Sequence, residues 1–322
     1  MTTDVRTVDP TSPDPAVIAR AAAVIRAGGL VAFPTETVYG LGANALDAAA
    51  VERVFVAKGR PATNPVIIHV AEVDDVRNVA ADWPATAAAL ADRYWPGPLT
   101  LVLPKLPTVP DVVTAGGPTV AVRCPAHAVA RELIRAAGVP IAAPSANRST
   151  AVSPTHASHV LKGLAGRIDS VLDGGPCTGG IESTVVDLSG GLVRVLRPGL
   201  VTIPMIEAVV GRVTGIVAVE EHGPARSPGQ MTKHYSPRTP VTLIDPGMTP
   251  LFQAGERVAI LRLDGKRIPA EPTGYAAGLY AQLHELDAGT FDRILIEMPP
   301  DTPEWAGVRD RLTRAAGQLK SL

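Results

Sequence analysis

The chain has 322 residues, with 30 Lys and Arg against 31 Asp and Glu, and its net charge of −1 provides no general field for nucleic acid. Hydrophobic residues make up 46% and aromatics only 4%, so the core is expected to consist mostly of Ala, Val, Leu and Ile. The 2 cysteines are too few for a disulfide framework and fit a reducing cytoplasm, no apolar run approaches the roughly 18 residues of a membrane span, and residues 1–15 lack the basic and apolar regions of a signal peptide.

After a polar tail over 1–13, Asp14-Pro15 opens a helix as an N-cap followed by proline, and Gly28-Gly29 closes it. Leu30-Val31-Ala32 reads as a buried strand that empties into Pro34-Thr35-Glu36-Thr37-Val38-Tyr39 and then Gly40 and Gly42. Hydroxyls and a carboxylate at a strand end are placed to hold a small polar ligand; a capped turn before a helix is the plain alternative. Gly40 to Ala45 matches a loose dinucleotide fingerprint, but six residues separate its first glycine from the strand, so a nucleotide turn of that kind is excluded.

Residues 48–57 read as a helix ending at Lys58-Gly59-Arg60-Pro61, followed by Asn64-Pro65 and a strand over 66–70 that contains His69. Lys58 and Arg60 either complement the helix dipole or form a pair of fixed charges for phosphate or carboxylate. Further strands are expected over 99–103, 119–123, 139–143, 168–172, 185–188 and 192–196, several ending in polar groups: Arg123, Ser145 with Asn147, and Arg197. Ser183 stands just before the strand at 185. Ser153-Pro154 is expected to cap a helix through about Leu161, whose His156 and His159 lie one turn apart without a third ligand, so no metal site is assigned. Residues 220–238 have the composition of a linker, yet carry Ser227-Pro228-Gly229, Lys233, His234 and Tyr235. Strands at 241–244, 258–261 and 294–296 then alternate with helices near 274–286 and 305–319, which predicts a small second α/β domain.

In one α/β sheet these strand ends are expected to share a crevice, where Lys58, Arg60, Arg123 and Arg197 suit an anion of high charge and the hydroxyls suit a second, small ligand. Phe33 to Gly42, Lys58-Gly59-Arg60-Pro61 with Asn64-Pro65, Trp95 to Thr100, Val122 to Pro125, Pro144-Ser145-Ala146-Asn147, Gly180 to Val185 and Arg197-Pro198-Gly199 together resemble the Sua5 branch of the Sua5/YciO/YrdC family, the L-threonylcarbamoyladenylate synthases. Ser227 to Pro237 is similar to the linker of the two-domain form.

The resemblance implies a large twisted, open mixed-sheet catalytic domain over 14–215, a linker over 216–239 reaching across the active site, and a Rossmann-like domain over 240–322. It implies that L-threonine, bicarbonate and ATP, with Mg²⁺, give threonylcarbamoyl-AMP, pyrophosphate and water. This is the first step of the t6A37 modification of tRNA, the product passing to a tRNA threonylcarbamoyl transferase machinery with weak or no direct tRNA contact. Carried over by position, Thr37, His69, Arg123 and Ser183 would bind threonine. Arg60, Asn64, Thr119, Ala143, Ser145, Asn147, Ser153, Arg197 and Tyr235 would bind ATP, and Lys58 and Arg60 would carry the catalytic charge. Two rivals fit less well: an RNA-binding module lacks basic runs, and a carbamoyl-adenylate step of the hydrogenase-maturation type lacks its accompanying segments.

Overall fold

The structure is a computed structural model that describes residues 2–61, 63–214, 235–250 and 252–317. Ser227-Pro228-Gly229, Lys233 and His234 of the expected linker lie outside the described residues.

The first part of the chain runs β1 (Asp4–Thr7), α1 (Pro15–Arg26), β2 (Val31–Phe33), β3 (Gly40–Asn44), α2 (Ala48–Lys58), β4 (Ile67–His69), α3 (Ala85–Tyr94), β5 (Leu99–Pro104), α4 (Asp111–Thr114) and β6 (Thr119–Arg123). It continues with α5 (Ala128–Ala137), β7 (Ile141–Ala142), α6 (Ala157–Leu164), β8 (Ser170–Asp173), β9 (Thr184–Asp187), β10 (Arg194–Arg197) and α7 (Ile203–Val210). The second part holds β11 (Val241–Ile244), β12 (Val258–Leu261), α8 (Pro272–Ala288), β13 (Arg293–Glu297) and α9 (Ala306–Ala315).

β1 to β10 form one mixed 10-stranded sheet in the order β1-β8-β2-β3-β7-β4-β6-β5-β9-β10. α1 starts as expected, with the Asp14 carboxylate accepting from the Ala16 N–H and Pro15 in the first turn. Residues 4–7 are not a free tail, because they add a parallel edge strand to β8 and satisfy their backbone groups there. The glycines of the opening stretch lie inside β3, antiparallel to β2, and form no turn that opens a helix. A Cβ on Gly42 would stand 2.7 Å from a Phe33 ring carbon and 2.8 Å from a methyl of Ile141, so this glycine serves close packing and not a phosphate turn.

The expectation of a crevice at shared strand ends is corrected by the strand directions. β2 and β7 run antiparallel to β3, and β7 also runs antiparallel to β4, so the strands' C-terminal ends do not gather at one edge. The polar residues meet instead on one face of the sheet. Side chains two apart along a strand share a face, which puts Ile67 with His69, Ala121 with Arg123, and Thr100 with Val102 on one side. The opposite side presents Ile68, Val122, Leu101 and Leu103, which pack with Val51, Phe55 and Leu90 into the largest apolar cluster.

β11, β13 and β12 form a separate, wholly parallel 3-stranded sheet. α8 and α9 pack it against Val38, Val152 and Ile181 of the first part, in a cluster that includes Tyr235. Backbones approach closely at Gly180, where φ is +73° and a Cβ would lie 2.1 Å from the carbonyl oxygen of Ala276. No helix among the described residues is long and apolar enough to cross a membrane.

Candidate active site

A cavity opens on the polar face of the large sheet. Thr37, Arg60, His69, Arg123, Ala143, Ser145, Ser183, Arg197 and Tyr235, all expected from the sequence, line it together. Thr35, Val38, Gly40, Ile67, Pro144 and Glu182 complete the wall around them.

Parallel pairing of β4 and β6 sets His69 directly opposite Arg123. Arg123 donates from Nη1 to the Thr37 hydroxyl (2.9 Å) and from Nε to the Gly97 carbonyl (3.2 Å). Its Nη2 lies 2.7 Å from Glu36 Oε1, an ion pair at the cavity edge. Thr37 is itself fixed by Thr35, 2.8 Å away hydroxyl to hydroxyl. Burial, reinforced by the Arg123 charge, lowers the His69 pKa to about 3, so the ring is neutral at physiological pH. Its Nδ1 is buried with no hydrogen-bond partner among the described residues.

On the other side, Arg197 donates to the Ser183 carbonyl (3.0 Å) and hydroxyl (3.2 Å), and the Ser183 hydroxyl is 2.7 Å from that of Thr100. Arg60 bends back onto its own loop, donating to the carbonyls of Asn64 (3.1 Å) and Pro65 (2.7 Å). Burial lowers the Arg60 pKa to about 10, which leaves it a cation at neutral pH. Tyr235 is 1% exposed, with its ring centroid 5.8 Å from that of Tyr280 and 5.4 Å from the Arg311 guanidinium carbon.

The remaining candidates stand behind this wall. Lys58, expected as a catalytic charge, is not among the residues that line the cavity. Its ammonium donates to the Ser145 carbonyl (2.5 Å), the Asn147 carbonyl (2.6 Å) and, at 3.4 Å, the Asn147 side-chain oxygen. Burial, then Arg60 and Arg148, push its pKa well below the usual lysine value. Asn147 holds the same loop, accepting from the Ser145 hydroxyl and donating to the Arg148 and Ala151 carbonyls. Ser153 caps no helix: α6 begins later, and the hydroxyl donates instead to Glu182 Oε1 at 2.6 Å. Asn64 is buried under Arg60. Thr119 shares the polar face with Ala121 and Arg123, but at the far end of β6, about 13 Å along the strand from Arg123.

Glu182 is the residue that the sequence reading passed over. It lines the cavity, and its Oε2 accepts from Tyr280 (3.0 Å) and Arg311 (2.8 Å), both in the second part of the chain. Burial alone would raise its pKa, but Arg311, Arg197 and the Ser153 hydroxyl outweigh this and hold it at about 2. A hydrogen-bonding acid between two glycine-rich turns was the only signal, and it was absorbed into a motif with no role of its own. Both Glu182 oxygens are occupied, and among the described residues no group of three or more His, Cys, Asp or Glu could hold a metal ion. The guanidinium groups of Arg60, Arg123 and Arg197 in the lining suit an anionic ligand.

Residues 23–199 match the family described as telomere recombination (Sua5/YciO/YrdC), and residues 201–317 match the threonylcarbamoyl-AMP synthase C-terminal domain. The chain is 43% identical over 316 residues to a threonylcarbamoyl-AMP synthase of Pyrococcus abyssi, covering 92% of this chain and 93% of that one. It is 41% identical over 323 residues to the Bacillus subtilis synthase, covering 93% of each. The fold superimposes on the crystal structure of P. abyssi Sua5 complexed with L-threonine with a TM-score of 0.90 at 40% identity, over 98% of each chain. The two matched segments and the shared architecture show that this chain belongs to the Sua5 branch of the Sua5/YciO/YrdC family, the threonylcarbamoyl-AMP synthases.

Proposed function

We propose that the chain forms threonylcarbamoyl-AMP and pyrophosphate from L-threonine, bicarbonate and ATP. The observation that carries this reading is the joint lining of one cavity by Arg60, Arg123, Arg197 and Tyr235 with Thr37, His69 and Ser183. In it Arg123, held in plane by Thr37 and Glu36, pairs with the threonine carboxylate through its remaining donors. His69 meets the small ligand as a neutral partner and adds no charge. Arg60 and Arg197 face the phosphates, with Ser145 and the Ala143 backbone beside them and Tyr235 closing the nucleotide side.

The threonine nitrogen captures the carbon of bicarbonate with loss of water, giving a carbamate. A carbamate oxygen then attacks the α-phosphorus, the bond to the β-phosphate oxygen breaks, and pyrophosphate leaves. His69, with its pKa of about 3, and Glu182, at about 2, are both poor proton acceptors at neutral pH. The reaction rests on positioning and on cations that face the charge developing on phosphate. Mg²⁺ carried on the nucleotide would supply further neutralisation of phosphate charge beside Arg60 and Arg197. We place the enzyme in the cytoplasm, ahead of the transferase that delivers the threonylcarbamoyl group to tRNA in t6A37 synthesis, and without a stable tRNA contact of its own. We likewise assign 14–215 to the catalytic domain, 216–239 to the linker and 240–322 to the C-terminal domain.

Pyrophosphate release measured with single omissions tests this reading. It is expected to require threonine and bicarbonate together, with serine much weaker. ATP turnover indifferent to amino acids would leave the fold standing and the substrate wrong; no turnover under any condition would favour a binding module.

A further inference from the structure

Among the described residues, one side chain of the second part of the chain reaches the cavity wall from behind at three points. Arg311, on α9, has no exposed side-chain surface. Its Nε donates to the Glu182 carboxylate (2.8 Å) and its Nη2 to the Glu182 carbonyl (3.0 Å), immediately before Ser183. Its Nη1 donates to the Pro198 carbonyl (2.8 Å), immediately after Arg197. The backbone next to each of two cavity-lining residues is therefore tied to a single planar group. The tie extends further, because the other Glu182 oxygen accepts from Ser153, while Tyr280 on α8 shares Oε2. The same guanidinium lies 5.4 Å from the Tyr235 ring centroid. The same Nη1 also donates to the Asp310 carboxylate (2.8 Å), which balances the guanidinium charge.

We propose that Arg311 is a positioning residue of the active site: acting through Glu182 and the Pro198 carbonyl, it sets Ser183, Arg197 and Ser153, so that the C-terminal domain forms part of the synthase site and is not a passive appendage. The proposal rests on the synthase reading above. A guanidinium suits this task because its donors are fixed in one plane and reach three acceptors in set directions. An ammonium or an apolar side chain could occupy the volume but could not register the β9 start against the β10 end. Displacement of a substrate-positioning group by about 1 Å can cost on the order of 10²-fold in rate. Arg311 itself touches no substrate, so its effect must appear in how Ser183 and Arg197 bind theirs.

The test is steady-state kinetics of the full-length Arg311→Met variant, with KM for threonine and ATP separated from kcat and a thermal melt of the same sample. The expected result is a folded protein whose kcat/KM for threonine falls by about 10²-fold, with KM raised. Loss of stability alone would lower the active fraction and leave both KM values unchanged, and that result overturns the proposal. If Glu182 left unpaired prevents folding, the double variant Glu182→Gln, Arg311→Met removes both charges together and is read by the same KM criterion. Wild-type protein assayed in parallel separates the two levels of the argument. Its failure to release pyrophosphate with threonine and bicarbonate would overturn the synthase reading itself, whereas a working wild type beside an unaltered variant would overturn only the role of Arg311.

Discussion

His69 and Arg123 face each other across the parallel β4–β6 pair, and burial, reinforced by the permanent charge of the second, keeps the first from accepting a proton. The unfolded imidazole titrates near 6.5 and the folded one only near 3. Between those values the unfolded chain binds the extra proton. Stability from this group is therefore complete above pH 6.5 and declines as pH falls toward 3. One unit below the unfolded value, the loss is about 1.4 kcal/mol. Urea midpoints at pH 7.5 and 5.5 should show it, and His69→Gln should flatten the difference. His159 and His284, stacked at 3.9 Å and likewise shifted down by burial, act in the same direction.

Glu182 gives a second, lower window. Its carboxylate is held near 2 against an ordinary 4.5, so the stability it contributes is present above 4.5 and is lost as pH falls through 2. Stability is expected to fall in acid in two overlapping stages, from pH 6.5 toward 3 through the imidazoles and from pH 4.5 toward 2 through this carboxylate. Glu182→Gln should remove the lower one in a circular-dichroism acid titration.

Arg123→Lys keeps the charge but loses the fork that Thr37, Glu36 and Gly97 fix in place. Hydrogen bonds to charged groups contribute about 1.5–3 kcal/mol, so the KM for threonine should rise about 10- to 100-fold while that for ATP changes little. Arg60→Ala should show the reverse, with adenylate formation severely depressed through the nucleotide side. Comparable loss for both substrates in each variant would contradict the division of the cavity.

Lys58→Met tests a different cause. Its ammonium satisfies the carbonyls of Ser145 and Asn147 in the interior, and each buried acceptor left unpaired costs about 1–3 kcal/mol. Both melting temperature and turnover should fall. A variant of wild-type stability with no turnover would restore Lys58 as a direct catalytic charge.

Much of the site could be read from the chain because its residues sit in short motifs at strand ends, where Thr37, Arg123, Ser145, Ser183 and Arg197 interrupt apolar runs. Which side of the sheet they would share could not be read, since β3 looks like a glycine turn until its antiparallel pairing with β2 is known. β1 was hidden for a related reason: its alternation is weak and all four residues are exposed, so only pairing with β8 makes it a strand. The surroundings of Lys58 could not be read either, because a lysine at a helix end gives no sign of the carbonyls of Ser145 and Asn147 that it meets. Glu182 and Arg311 are 129 residues apart, and no local pattern announces a pair of that separation.

The most direct measurement of the central claim is the identity of the product. Purified protein should be incubated with ATP, Mg²⁺, threonine and isotopically labelled bicarbonate, and the nucleotide products resolved by mass spectrometry. The account predicts an AMP adduct that carries threonine and the labelled carbon, formed in step with pyrophosphate. Threonyl-AMP without the label, or pyrophosphate release with no threonine-containing nucleotide, would contradict it.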